Sequence, residues 1–200
     1  LEINGKQITI NGSISADNIV IKASDDDTYA LSQEGSLSMS DTQTGINLDF
    51  WNFDFATDAR ILIAQSATLN AVSNITLSAA SVQTQPIFNF QLGDLAQVSF
   101  PMAIKVGSAD IGIEGTLNAG GRVDAEATTR INVKTNNEFF QRFRLPVSVV
   151  IVTADARTNL AETGSITSGS STSLGSKADV TTSAVATIGL IPLSLALSLV

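Results

Sequence analysis

Ile46-Asn47-Leu48-Asp49-Phe50-Trp51-Asn52-Phe53-Asp54-Phe55 alternates apolar and polar residues, and its parity changes once, between Phe50 and Trp51. Alternation with a period of two is the mark of a pleated strand with one face buried. The parity change moves the apolar face across the strand, so a bulge, or a strand crossing between two packed sheets, is expected there. The same alternation extends in both directions: Ile8-Thr9-Ile10, Ile19 to Ile21, Gly35 to Ser40, Ile75 to Leu77, Ile87 to Leu92, Val98 to Val106, Ile111 to Leu117, Val123 to Val133 and Val147 to Val152. Turn signals separate the runs, among them Asn4-Gly5, Asn11-Gly12, Gly45, Gly93-Asp94, Gly107 and Gly120-Gly121. Only residues 55–72 carry a helical spacing, through Ala56, Ala59, Ile63 and Ala67; two strands, at 60–63 and 67–72, are the preferred reading.

One strand plus turn for roughly every ten residues predicts an all-β antiparallel domain, a β-sandwich or a barrel-like relative, over residues 1–160. Gly-Ser-Leu-Ser at 35–38 and Gly-Thr-Leu-Asn at 115–118 recur after apolar strands. No fixed register links them, so a β-solenoid is not the expected fold.

Residues 161–183 shift to Ser, Thr and Gly and read as a loop or linker, with an edge hairpin as the alternative. Residues 184–200 carry no charge. Leu193, Leu195, Leu197 and Leu199 alternate with Ser194, Ala196 and Ser198, which fits an apolar C-terminal strand. Full burial of those four leucines would contribute about 6–12 kcal/mol. A membrane helix would need about 20 apolar residues, and Pro192 interrupts this run; a cleaved anchor signal is the third alternative. The apolar set Leu190, Ile191, Leu193, Leu195, Leu197 and Leu199 is the predicted interface.

Composition narrows the chemistry. Charged residues make up 15% of the 200, against about 25% in typical soluble domains, so Ser, Thr, Asn and Gln must supply most of the polar surface. The net charge of -8 disfavours nucleic acid and anionic membrane surfaces as partners. Histidine and cysteine are both absent, which excludes disulfides, thiolate nucleophiles, Ser-His-Asp mechanisms and ordinary zinc sites. The start at Leu1 reads as a chain processed from a longer precursor.

Carboxylates and aromatics remain. Asp25, Asp26 and Asp27 form the densest acidic run, a weak calcium-site candidate against the simpler reading of a solvated turn. Asp41, Asp49 and Asp54 surround the aromatic run, but nothing fixes a catalytic pair across a cleft. Phe50, Trp51, Phe53 and Phe55 read as core before binding patch. Phe139-Phe140-Gln141-Arg142-Phe143-Arg144 suits an outward strand or an interface. Asn11-Gly12-Ser13 and Asn74-Ile75-Thr76 match the short glycosylation acceptor pattern. No phosphate-binding glycine loop and no Gly-x-Ser-x-Gly elbow is present.

The expectation is therefore a non-enzymatic subunit with no cofactor. It would belong to an extracellular or cell-surface assembly, filamentous or pilus-like, in which the chain is its own partner through strand addition or donation. A β-barrel or groove carrying lipid, and an adhesin or glycan-binding module, are the alternatives.

Overall fold

A computed structural model describes residues 1–26, 36–41, 46–84, 88–89, 98–139, 145–188 and 195–199, with side-chain surroundings for 1–26, 56–84, 106–133 and 151–182. The chain winds. β1 (Glu2–Gly5), β2 (Gln7–Ile10), β3 (Ser13–Ala16) and β4 (Ile19–Asp26) make a narrow first coil. β5 (Ser36–Asp41) precedes the second coil, formed by β6 (Ile46–Ile63), β7 (Thr68–Ala71) and β8 (Ile75–Thr84). After β9 (Phe88–Asn89) come β10 (Val98–Ile113), β11 (Thr116–Ala119) and β12 (Val123–Phe139). The last coil is β13 (Leu145–Leu160), β14 (Ser165–Ser168) and β15 (Thr172–Ile188), and β16 (Leu195–Leu199) follows it.

Strands from successive coils stack into three sheets. β3, β7, β11 and β14 form a short base; β1, β4, β8, β12 and β15 form wall A; β2, β6, β10, β13 and β16 form wall B. Among the described strands every pairing between coils is parallel, and β5 runs antiparallel along the start of β6. This arrangement is a three-faced β-solenoid, and it corrects the antiparallel β-sandwich reading. The two walls do pack face to face, but within each wall the strands are parallel. Alternation reports which side of a strand is buried and says nothing about its neighbour's direction. The turn signals misled for the same reason: Asn11-Gly12 joins β2 to β3, which lie in different sheets, so it is a corner and not a hairpin.

The repeat is real. Thr68-Leu69-Asn70-Ala71 pairs in register with Thr116-Leu117-Asn118-Ala119, 48 positions on, and that segment pairs with Ser165-Ile166-Thr167-Ser168. It escapes a search for fixed spacing because the corners differ in length: Ala64 to Ala67 fills the corner that Glu114-Gly115 fills one coil later. β6 passes Phe50 and Trp51 in unbroken register with Phe100 and Pro101, so no bulge forms. The helical alternative over 55–72 gives way to β6 and β7.

Inward residues stack in columns. Ile14, Leu69, Leu117 and Ile166 line the base; Ile61 and Ile111 lie on wall B, and Ile21 and Leu77 on wall A. The inner members of these columns are fully buried. Away from the base the side chains shrink, to Ala59 and Ala109 on wall B and to Ala79 and Ala127 on wall A. The cross-section tapers accordingly: a Cβ on Gly107 would press on Thr129 and Ile131 of the facing wall. Above that narrowing Ile131, Val133 and Val152 begin a second apolar cluster.

Candidate functional site

Between the two apolar clusters lies a polar layer. Thr57, Ser81, Gln83 and Thr129 are all buried. Gln83 Nε2 donates to Thr57 Oγ1 and to the Val106 carbonyl, each at 2.9 Å. Thr57 Oγ1 stands 2.6 Å from Ser81 Oγ, and Thr129 Oγ1 donates to the Asp155 carbonyl at 2.6 Å. Either hydroxyl of the Thr57–Ser81 pair can donate, and Ser81 Oγ also reaches the Thr57 carbonyl at 3.5 Å. The partners of these hydroxyls are an amide, one another and backbone carbonyls, which hold a proton in place but do not remove it. The layer ties wall A to wall B.

Asp25 ends the inward face of β4 beside this layer. Its Oδ2 accepts the Asp58 backbone N–H at 2.7 Å and meets Lys6 Nζ at 2.8 Å. That carboxylate joins the first coil to the second. Asp26 is exposed at the end of β4, and Asp27 lies outside the described residues. Among the described residues no group of three or more Asp or Glu is placed to hold a metal ion.

The other sequence candidates are scattered. Asp41 ends β5, and Asp49, Phe50, Trp51, Phe53, Asp54 and Phe55 lie along β6. Phe139 ends β12, and 140–144 fall outside the described residues. Asn74 is exposed at a corner, where its Oδ1 accepts the Arg122 N–H at 2.8 Å. Leu195, Leu197 and Leu199 lie on β16, paired in parallel with Val147, Val149 and Ile151 of the same chain. Leu190, Ile191 and Leu193 fall outside the described residues. The stretch 161–183 supplies β14 and most of β15. No described helix is long and apolar enough to cross a membrane.

One surface was missed entirely by sequence reasoning: the end of the solenoid after the last coil. There β14, β15 and the lower part of β13 are sheet edges among the described strands. Their inward positions, which are buried one coil earlier, meet solvent. Leu160 is 41% exposed, whereas its neighbour Ile113 is fully buried; Leu174 is 42% exposed, and its neighbour Ala125 is buried. Ile166 is partly buried, stacked on the fully buried Leu117. Leu174 sits within a Ser/Thr-rich stretch, and only the 49-residue offset from Ala125 marks it as a core position.

Comparison with protein-family models, with curated protein sequences and with solved structures gives no match. The class that the fold defines is a parallel β-solenoid whose described core is two apolar clusters separated by a polar layer.

Proposed function

We propose that this chain is a non-enzymatic structural module of an extracellular or cell-surface assembly, a solenoid segment that joins its neighbours by strand addition at its sheet edges. The observation that carries the reading is the stack of in-register parallel strands in three sheets, which presents the core positions Leu160, Ile166 and Leu174 at edges among the described strands. An edge of unpaired N–H and C=O groups is a template for another strand, and solvent-facing leucines at core positions add an apolar driving force. The sparse charge, with Ser, Thr, Asn and Gln supplying most of the polar surface, supports a place outside the cell.

Light scattering and negative-stain microscopy over a concentration series test it. The intact chain is expected to form elongated particles that grow with concentration. The double variant Leu160→Lys, Leu174→Lys is expected to remain monomeric with an unchanged circular dichroism spectrum, because both sites are well exposed. An intact chain that stays monomeric at every concentration overturns the reading.

A further inference from the structure

We infer that the outer face of wall B, above Val106, is a lateral seam at which two assembled stacks of this chain pair sheet to sheet. The inference rests on the assembly reading above and adds a sideways contact between copies.

The parity change at Phe50 and Trp51 is where the seam begins. Wall B carries that segment in unbroken register, so no bulge absorbs the change, and the apolar residues pass from one face of the sheet to the other. Near the base the inner face is the apolar one: Ala59 and Ala109 are buried, and Asp58 and Arg60 hold the alternate positions. Val106 marks the outer face, 39% exposed, while the adjacent Gly107 faces Thr129 and Ile131 of wall A. The pairings fix which residues share the face of Val106. One row is Ile104, Ile151 and Leu199, and the next is Met102, Val149 and Leu197. Every residue of this parity in 98–104, 145–151 and 195–199 is apolar. The opposite parity of the same strands holds Ser99, Lys105, Ser148 and Ser198. On β6 the two rows end in Asp54 and Asn52, so the apolar face spans β10, β13 and β16.

Among the described strands, those that pack against wall B belong to wall A and lie on its inner side. An open sheet surface does not suit a small apolar ligand, whose sites are concave. Nor does this one suit an anionic lipid surface. Below it the outer face carries Asp58 and Asp155, Arg60 and Arg157 are held by Asp110 and Asp155, and the chain's net charge is -8. A second copy brings the same uncharged face, and two such faces pack as sheets do, about 10 Å apart. Each position on a sheet face covers about 33 Å², so the three strands present on the order of 400 Å² per copy, about half of what a standard interface takes from each partner. One pair of faces is too small to hold two free chains together. A stack repeats the face with every chain, and many weak contacts then act at once. Like charges set the orientation. A two-fold axis along the fibre carries the Asp58 and Asp155 border of one stack to the edge opposite its partner's, so the strands run antiparallel across the seam.

Mass per unit length of the assembled fibres, measured by scanning transmission electron microscopy, tests the seam. The parent is expected to hold two chains per axial repeat and Val149→Lys one, a twofold fall with fibre length and circular dichroism spectrum unchanged. Met102→Lys, on the neighbouring strand, is expected to do the same. Parent fibres with one chain per repeat overturn the seam and leave the assembly reading standing, as do variants that keep the double mass. If both variants unfold, the face is covered within its own chain, and the seam is overturned. Folded variants that form no fibres place the face in the lengthwise contact and overturn it too. Flotation of the parent with vesicles of phosphatidylcholine and phosphatidylserine, lost in Val149→Lys, assigns the face to lipid instead. A parent that forms no fibres at all sinks both the seam and the reading beneath it.

Discussion

Gly120 and Gly169 stand at the corner where the chain leaves the base. A Cβ at Gly120 would strike the Val72 carbonyl oxygen, and one at Gly169 the Gly120 carbonyl oxygen, each belonging to the coil beneath. The corners pack backbone on backbone, so Gly120→Ala should destabilise by about 1–3 kcal/mol in urea unfolding. Leu117→Ala empties a fully buried base position and should cost about 2–5 kcal/mol by the same measurement. Thr57→Val removes the acceptor of Gln83 Nε2 and the partner of Ser81 Oγ, and should cost about 1–3 kcal/mol although it keeps the shape. On the surface, Glu2 is held below the ordinary glutamate range, first by the hydrogen bond from Lys22 and then by that from Asn4. Folding lowers this pKa, so the contribution is present at neutral pH and fades as pH falls through the folded value. In an NMR titration Lys22→Gln should move the Glu2 midpoint upward. These roles were only partly legible. The apolar faces could be read directly, whereas Asp25 in its acidic run gave no sign that it would bind Lys6 and a backbone N–H across the first two coils.

The strands themselves were legible and their partners were not. Ile75 to Leu77 and Val123 to Val133 read as strands because inward and outward residues alternate, and both are strands. Their mutual pairing, 48 residues apart, leaves its clearest trace in Thr-Leu-Asn-Ala, which occurs at 68–71 and again at 116–119. That identity has a physical source: the leucines fill the same place in the core, and Asn118 Nδ2 donates to Asn70 Oδ1 at 2.9 Å along the outer face. Asn118→Ala should lower stability by about 0.5–1.5 kcal/mol and leave the spectrum unchanged. The Ser/Thr stretch at 161–183 shows the limit of composition, since outward strand positions and flexible linkers draw on the same residues. Amide exchange gives the check at this scale. The central strands β8 and β12 have partners on both sides and should exchange slowest in wall A, and the edge strand β15 faster.

For the molecule as a whole, a solenoid's stability is close to a sum of coils and the contacts between neighbours. Removal of residues 187–200 takes away β16 and the last two residues of β15 but leaves every base strand paired. The truncated chain should therefore keep its β spectrum and a cooperative melt; loss of both would show that the end of wall B is required for folding. The walls also decide how such a body bears load. A pull along the solenoid axis is carried at each level by hydrogen bonds of all three sheets at once, on strands of 17 residues in β12, 16 in β10 and four in β11. Nearly fifty residues are used to gain one strand spacing, about 4.8 Å of height. Growth in length is slow for the mass invested, and the return is tensile strength: the bonds at a level must break together, whereas a sideways pull would peel one strand at a time.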